Sequence, residues 1–168
     1  MRCKILDTIQ KKKGLKKALL KLLKEEQLIL EKSVKNAGEG ATHPDAKPEN
    51  KYDTRGLESS YLAGAQQARL KDLLAITSFI EDMEIKSLED AKSVQIDALI
   101  TLLFDDDTKL YWIIALGGGY TLETSTQNVT TISPQSPLAK KLLGKQRGDV
   151  FDFKLLQKIH EIEIIDFT

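Results

Sequence analysis

The side chains in this sequence with the clearest chemical potential are carboxylates. Glu39, Asp45, Glu49, Asp53 and Glu58 fall within or beside one polar stretch. Carboxylate oxygens are hard donors, and Mg²⁺ is commonly held by one or two of them while water and substrate oxygens complete its shell. Asp53 and Glu58 are the best placed, because they flank the start of a helical pattern. On a single helix, positions five apart point about 140° away from each other, so Asp53 must lie in the loop for the two to converge. A second reading uses the same residues structurally. Asp53 or Thr54 then caps the helix, and Glu58 is a first-turn carboxylate facing the helix dipole.

Other reactive side chains form no constellation. His43 and His160 are far apart and have no Ser or Cys arrangement around them, so nothing suggests a nucleophilic site. Cys3 is the single cysteine, which excludes an internal disulfide and offers nothing for a zinc or iron–sulfur site that needs several ligands. Gly117-Gly118-Gly119 is not followed by a helix start with Lys-Ser/Thr, so it is no phosphate loop. Asp105-Asp106-Asp107 reads as a solvated hairpin turn. Tyr111 and Trp112 sit in a strand pattern, one directed to a core and the other to the opposite face.

With 41% hydrophobic and 30% charged residues, the chain is foldable rather than disordered. No apolar run approaches the roughly 20 residues that span a bilayer. Thr8, Gln10 and Lys11-Lys12-Lys13 interrupt any signal-peptide core. A cytoplasmic monomer with no membrane contact is expected. The net charge of zero conceals an uneven distribution, since residues 1–24 hold nine basic side chains against Asp7 alone, an excess of +8. Such a stretch is either a solvated lysine face or a surface that attracts phosphate or an acidic protein.

The elements that must position these groups are legible in outline. Leu15, Leu19, Leu22 and Ile29 recur at helical intervals within a helix expected from about Lys4 to Lys35. Asn36, Gly38, Gly40, Pro44 and Pro48 then predict a loop over about 37–53. A second helix follows from about Thr54 to Met83, with Leu57, Tyr61, Leu70, Leu73, Leu74, Ile76 and Ile80 as its apolar face. Two such helices bury their stripes against each other as an antiparallel hairpin with its connecting loop at the far tip. Strands are predicted over Val94–Phe104, Leu110–Leu116, Asn128–Ile132, Val150–Phe153 and Ile159–Phe167, with a short helix over Pro137–Leu143 stopped by Gly144. Helices followed by strands give an α+β chain in two domains, 1–82 and 83–168.

Three stretches resemble the Gre family of bacterial transcript-cleavage factors. The most specific is Ser136-Pro137-Leu138-Ala139, then Leu142-Leu143-Gly144-Lys145, then Gly148-Asp149. The terminal His160–Phe167 is similar to the family's closing strand, and Asp53–Ala65 to the start of its second helix. The resemblance implies an N-terminal coiled coil, an FKBP-like antiparallel sheet domain and a bacterial RNA polymerase partner. It implies that Ser136, Pro137 and Leu138 dock on polymerase, and that acidic tip residues, here Asp53 and Glu58, share a Mg²⁺ at the polymerase active site. The chain would then act on transcript RNA indirectly, as an accessory factor with no catalytic residue or intrinsic cofactor of its own.

Gre factors carry Asp and Glu three apart at the tip, and the matching positions here are Thr54 and Leu57. The resemblance implies binding at the polymerase secondary channel and stimulated cleavage of backtracked RNA; a modulator that occupies this channel without stimulating cleavage is therefore a second reading. A peptidyl-prolyl isomerase or chaperone module would need a clustered aromatic pocket built from Phe104, Tyr111, Trp112, Tyr120, Phe151, Phe153 and Phe167. Direct nucleic-acid (RNA or DNA) binding would use the lysine face of the first helix.

Overall fold

The computed structural model describes residues 2–42, 55–124 and 127–168. Helix α1 runs Arg2–Thr42 and α2 runs Arg55–Asp82. Contacts divide the chain into Leu20–Glu81 and a second unit made of Met1–Leu19 with Asp82–Thr168. The α1 helix continues through Gly38 and Gly40, so residues 37–42, expected in the loop, are helical. Glycine weakens a helix by only about 1 kcal/mol and does not end one by itself.

In the Leu20–Glu81 unit the two helices run antiparallel. Arg69 of α2 pairs with Glu26 of α1 at 2.7 Å, and Lys24 pairs with Glu81 at 2.7 Å. The buried stripe of α2 is Leu73, Thr77 and Ile80, with the Thr77 hydroxyl folded back on the Leu73 carbonyl at 2.8 Å. The buried stripe of α1 is Leu15, Leu19, Leu23 and Leu30, whereas Ile29 is 71% exposed. Ile29 points about 90° away from the centre of that stripe, and this corrects the expected register. Leu57 and Tyr61 are likewise exposed, since Tyr61 lies about 120° around the helix from Leu73.

The second unit holds a six-stranded sheet with β1 Leu99–Phe104, β2 Asp107–Ile113, β3 Thr121–Leu122, β4 Val129–Ile132, β5 Val150–Leu155 and β6 Lys158–Phe167, in the order β3-β4-β2-β1-β6-β5. Helix α3 spans Pro137–Leu142. The sheet is mostly antiparallel but β2 and β4 are parallel. Gly117–Gly119 does not turn the chain straight back: the intervening segment, with β3, carries it across so that β4 runs alongside β2.

One face is the core. Ile100, Leu102 and Phe104 of β1 join Ile113, Ile162, Ile164 and Phe167 under Leu138, Ala139 and Leu142 of α3. Strict alternation would turn Ile164 and Phe167 to opposite sides. A register shift in the β1–β6 pairing, where Thr101 meets Asp166 and Leu102 meets Ile164, lets both face inward. Trp112 is fully buried on the other face, while Tyr111 is half-buried beside Phe104 with ring centroids 6.0 Å apart.

Asp105 is exposed at the β1–β2 turn, as expected, and is also hydrogen-bonded there. Its backbone takes a positive φ of 49°, and its carboxylate accepts from His160 Nδ1 at 2.9 Å, Lys158 Nζ at 3.4 Å and the Glu161 amide at 3.2 Å. The His160 hydrogen bond leads the causes that hold the Asp105 carboxyl below the usual aspartate range. A carboxyl depressed in the folded state stabilises the fold above its unfolded pKa and loses that contribution as pH falls through its folded one. We expect Asp105→Asn, which still tolerates the left-handed backbone, to lower stability at neutral pH and to flatten the acid-side loss in chemical denaturation. An unchanged acid limb in the variant would show that Asp105 does not contribute.

Candidate functional site

The two carboxylates singled out from the sequence are only half accessible to description. Asp53 lies outside the described residues. Glu58 sits in the first turn of α2 and is exposed, a position suited to the positive end of the helix. Leu57, at a position where the Gre tip carries an acid, is 56% exposed. Among the described residues no group of three or more His, Cys, Asp or Glu is arranged to hold a metal ion. No described helix is long and apolar enough to cross a membrane.

The Ser136–Asp149 segment is built almost entirely from structural necessities. Ser136 Oγ accepts the Ala139 amide at 3.1 Å as N-cap of α3, and Pro137 fills the first helical position, where no amide hydrogen is needed. Leu138 is 8% exposed and belongs to the core, so of the three residues only Pro137 is exposed while Ser136 is half-buried. Gly144 stops the helix with a φ of 83°, a conformation that favours glycine. There its amide reaches the Val94 carbonyl at 2.9 Å, and the Val94 amide returns to the Lys145 carbonyl at 2.8 Å. Asp149 Oδ2 closes the next turn on the Gln146 amide at 2.8 Å, where Gly148 has a φ of 82°.

Arg147, inside the same segment, had no distinguishing signal in the sequence. Its guanidinium donates to Asp166 Oδ1 at 2.6 Å, to the carbonyls of Ala91 and Glu89 at 3.1 Å each and to that of Phe167 at 2.5 Å. It also lies 3.9 Å from the centre of the Phe167 ring. One side chain therefore ties the segment leading into the sheet to the final strand.

The lysine face of α1 is less uniform than its composition suggests. Lys11, Lys13 and Lys17 are exposed, but Lys16 donates to the Met83 carbonyl at 2.8 Å and Lys12 is fully buried. Lys12 Nζ donates to the carbonyls of Lys86 at 2.8 Å and Asp97 at 2.6 Å, and lies 3.7 Å from Asp97 Oδ2. Asp97 has a positive φ of 73° and accepts the Trp112 indole N–H at 3.0 Å. Thr8 adds a bond to Glu89 at 2.6 Å. The start of α1 is thus fastened to the segment before β1. Spacing held a clue, because Lys12 lies three, seven and eleven residues before Leu15, Leu19 and Leu23, inside their stripe.

Most of the aromatic residues are packing elements of the sheet unit, with Phe104 and Phe167 in its core and Tyr111 against it. Trp112 and Phe167 are buried, and Phe151 and Phe153 pack on the rim of the core.

Comparison with known proteins agrees with this segment. Residues 89–168 match the family model described as transcription elongation factor, GreA/GreB, C-term. The transcription elongation factor GreA of Rickettsia prowazekii is 26% identical over 91% of this chain and 89% of its own length. That of Ruegeria pomeroyi is 28% identical over 80% and 81%. A crystal structure of the GreA factor homolog 1 (Gfh1) protein of Thermus thermophilus covers 90% of this chain and 96% of its own at 18% identity, with a TM-score of 0.38, a likeness that decides nothing about the fold. The match over residues 89–168, with relatives along most of the length, makes this chain similar to the Gre-type transcription elongation factors, its C-terminal part to their GreA/GreB C-terminal domain.

Proposed function

We propose that this chain binds bacterial RNA polymerase and acts there as an accessory factor, not as an enzyme. The observation that carries the reading is the match of residues 89–168 to the GreA/GreB C-terminal domain. In this reading the sheet unit docks through the exposed Pro137 turn, with the Ser136 cap and buried Leu138 holding its shape. The helical hairpin brings Glu58, together with Asp53, to the polymerase active centre, where Mg²⁺ is supplied by polymerase. Two carboxylates suffice for such sharing because water and RNA oxygens complete the shell.

A second reading rests on Leu57. An exposed apolar side chain stands where the family's tip carries an acid, which favours a channel-occupying modulator that does not stimulate cleavage.

Binding of the full chain to purified polymerase core tests the first claim, and absence of affinity overturns it. The chemistry is tested on stalled elongation complexes. If cleavage is stimulated, wild-type protein shortens the RNA, and Asp53→Ala with Glu58→Ala abolishes shortening while binding survives. Wild-type protein that binds without shortening RNA selects the modulator.

A further inference from the structure

Strand β5 ends the sheet, and among the described residues no strand pairs with its outer edge. Edge strands expose unpaired amides and carbonyls and are commonly guarded by proline, bulges or charged side chains, and here the outward charges, Asp152 and Lys154, are of opposite sign. The β5 sequence, VFDFKL, has no proline, and its pairing with β6 is regular from Val150 to Leu155.

The register fixes which backbone groups are free. The hairpin closes with Leu155 opposite Lys158 across the two-residue connection Leu156-Gln157. In such a hairpin the closing pair exchanges hydrogen bonds, and the pattern alternates along the strand. Phe151, Phe153 and Leu155 therefore spend their backbones on β6, while Val150, Asp152 and Lys154 turn theirs to the open edge.

The tip is also unusual. Leu156 and Gln157 have φ values of 47° and 72°, a region that favours Gly or Asn in this turn. Leu156 is 93% exposed, and Leu155 and Val150 are 46% and 52% exposed.

We infer that β5 pairs antiparallel with β5 of a second copy of this chain, about a twofold axis through Phe153. In that register Asp152 of each copy faces Lys154 of the other, so the two outward charges are satisfied twice by one contact. Both pairs are ones whose backbones point outward, so four hydrogen bonds form. The Leu156 tip of each copy comes to the Val150 end of its partner. A twofold interface requires this self-complementarity, and a one-sign edge would forbid it. A dimer departs from the monomer expected from the sequence.

Sedimentation of the full chain tests this over concentrations to about 100 μM, the range in which a small interface is populated. Wild-type protein is expected to dimerise. Asp152→Lys places like charges opposite each other and should weaken the dimer at least about tenfold, a difference of about 1.4 kcal/mol. Adding Lys154→Asp to it restores the dimer, while circular dichroism shows that all three proteins are folded. A monomer throughout the range overturns the proposal, as does a dimer indifferent to Asp152→Lys or one that the double exchange fails to restore. A wild-type monomer that instead captures an extended peptide along β5 would also overturn it. None of these readouts involves polymerase.

Discussion

Lys12→Met is expected to destabilise the protein by about 3 kcal/mol, because two carbonyls lose their buried donor and the part-exposed Asp97 carboxylate loses a neighbour. Methionine keeps the length and apolar stem of lysine, so the loss reports the ammonium rather than the packing. Without it the carbonyls of Lys86 and Asp97 lose this donor, while the Asp97 carboxylate keeps Trp112 and the Lys86 amide, at 3.0 and 3.3 Å. Asp97→Asn should recover part of the loss when combined with Lys12→Met, since it removes the charge that lost its neighbour. Equal, additive costs of the two changes in urea denaturation would show that they are not coupled.

The same pair predicts a pH dependence. Burial depresses the Lys12 pKa, more than Asp97 raises it. An amine depressed in the folded state means that the unfolded chain binds more protons between the two values. Wild-type stability, referenced to Lys12→Met, should therefore rise as pH climbs from the depressed value towards the ordinary lysine range. A falling or flat difference would show that the ammonium is not desolvated.

Lys12 is buried for reasons that its local sequence does not carry. Its spacing to Leu15, Leu19 and Leu23 was visible, yet a lysine within a run of lysines reads as solvent-exposed. What made it a buried residue was a cup of two carbonyls and a carboxylate supplied about 75 to 85 residues later. Periodicity carries no information about such partners. The short helix was legible because Ser136, Pro137 and Gly144 act locally, through a cap, a fixed φ and a left-handed stop. The closing strand was legible as a strand but not in its register, because the irregularity exists only against β1. Likewise β4 reads as a strand from NVTTI, but no local feature says that it lies parallel to β2. The candidate site divides the same way. The docking segment is a local motif, whereas convergence of Asp53 and Glu58 depends on a loop whose geometry the residue types do not set.

Gly118→Ala is expected to cost about 3 kcal/mol, at the upper end for overpacking. A Cβ built there would lie 2.4 Å from the Ser133 amide nitrogen and 2.9 Å from the Ile132 carbonyl carbon, both backbone atoms that cannot rotate away. The approach is held in place by buried Thr131. Its hydroxyl donates to the Gly117 carbonyl at 2.9 Å, with the Tyr120 carbonyl as the alternative acceptor at 3.2 Å, and accepts the Tyr120 amide at 3.0 Å. Gly118 thus lets one turn lie against the end of β4. Gly14→Ala provides the opposing control. It lies within α1, nothing stands within 4 Å of a Cβ there, and alanine should stabilise the protein by about 1 kcal/mol. Thermal unfolding of both variants should thus shift in opposite directions, and a Gly118→Ala melting temperature at or above that of Gly14→Ala would refute the close approach.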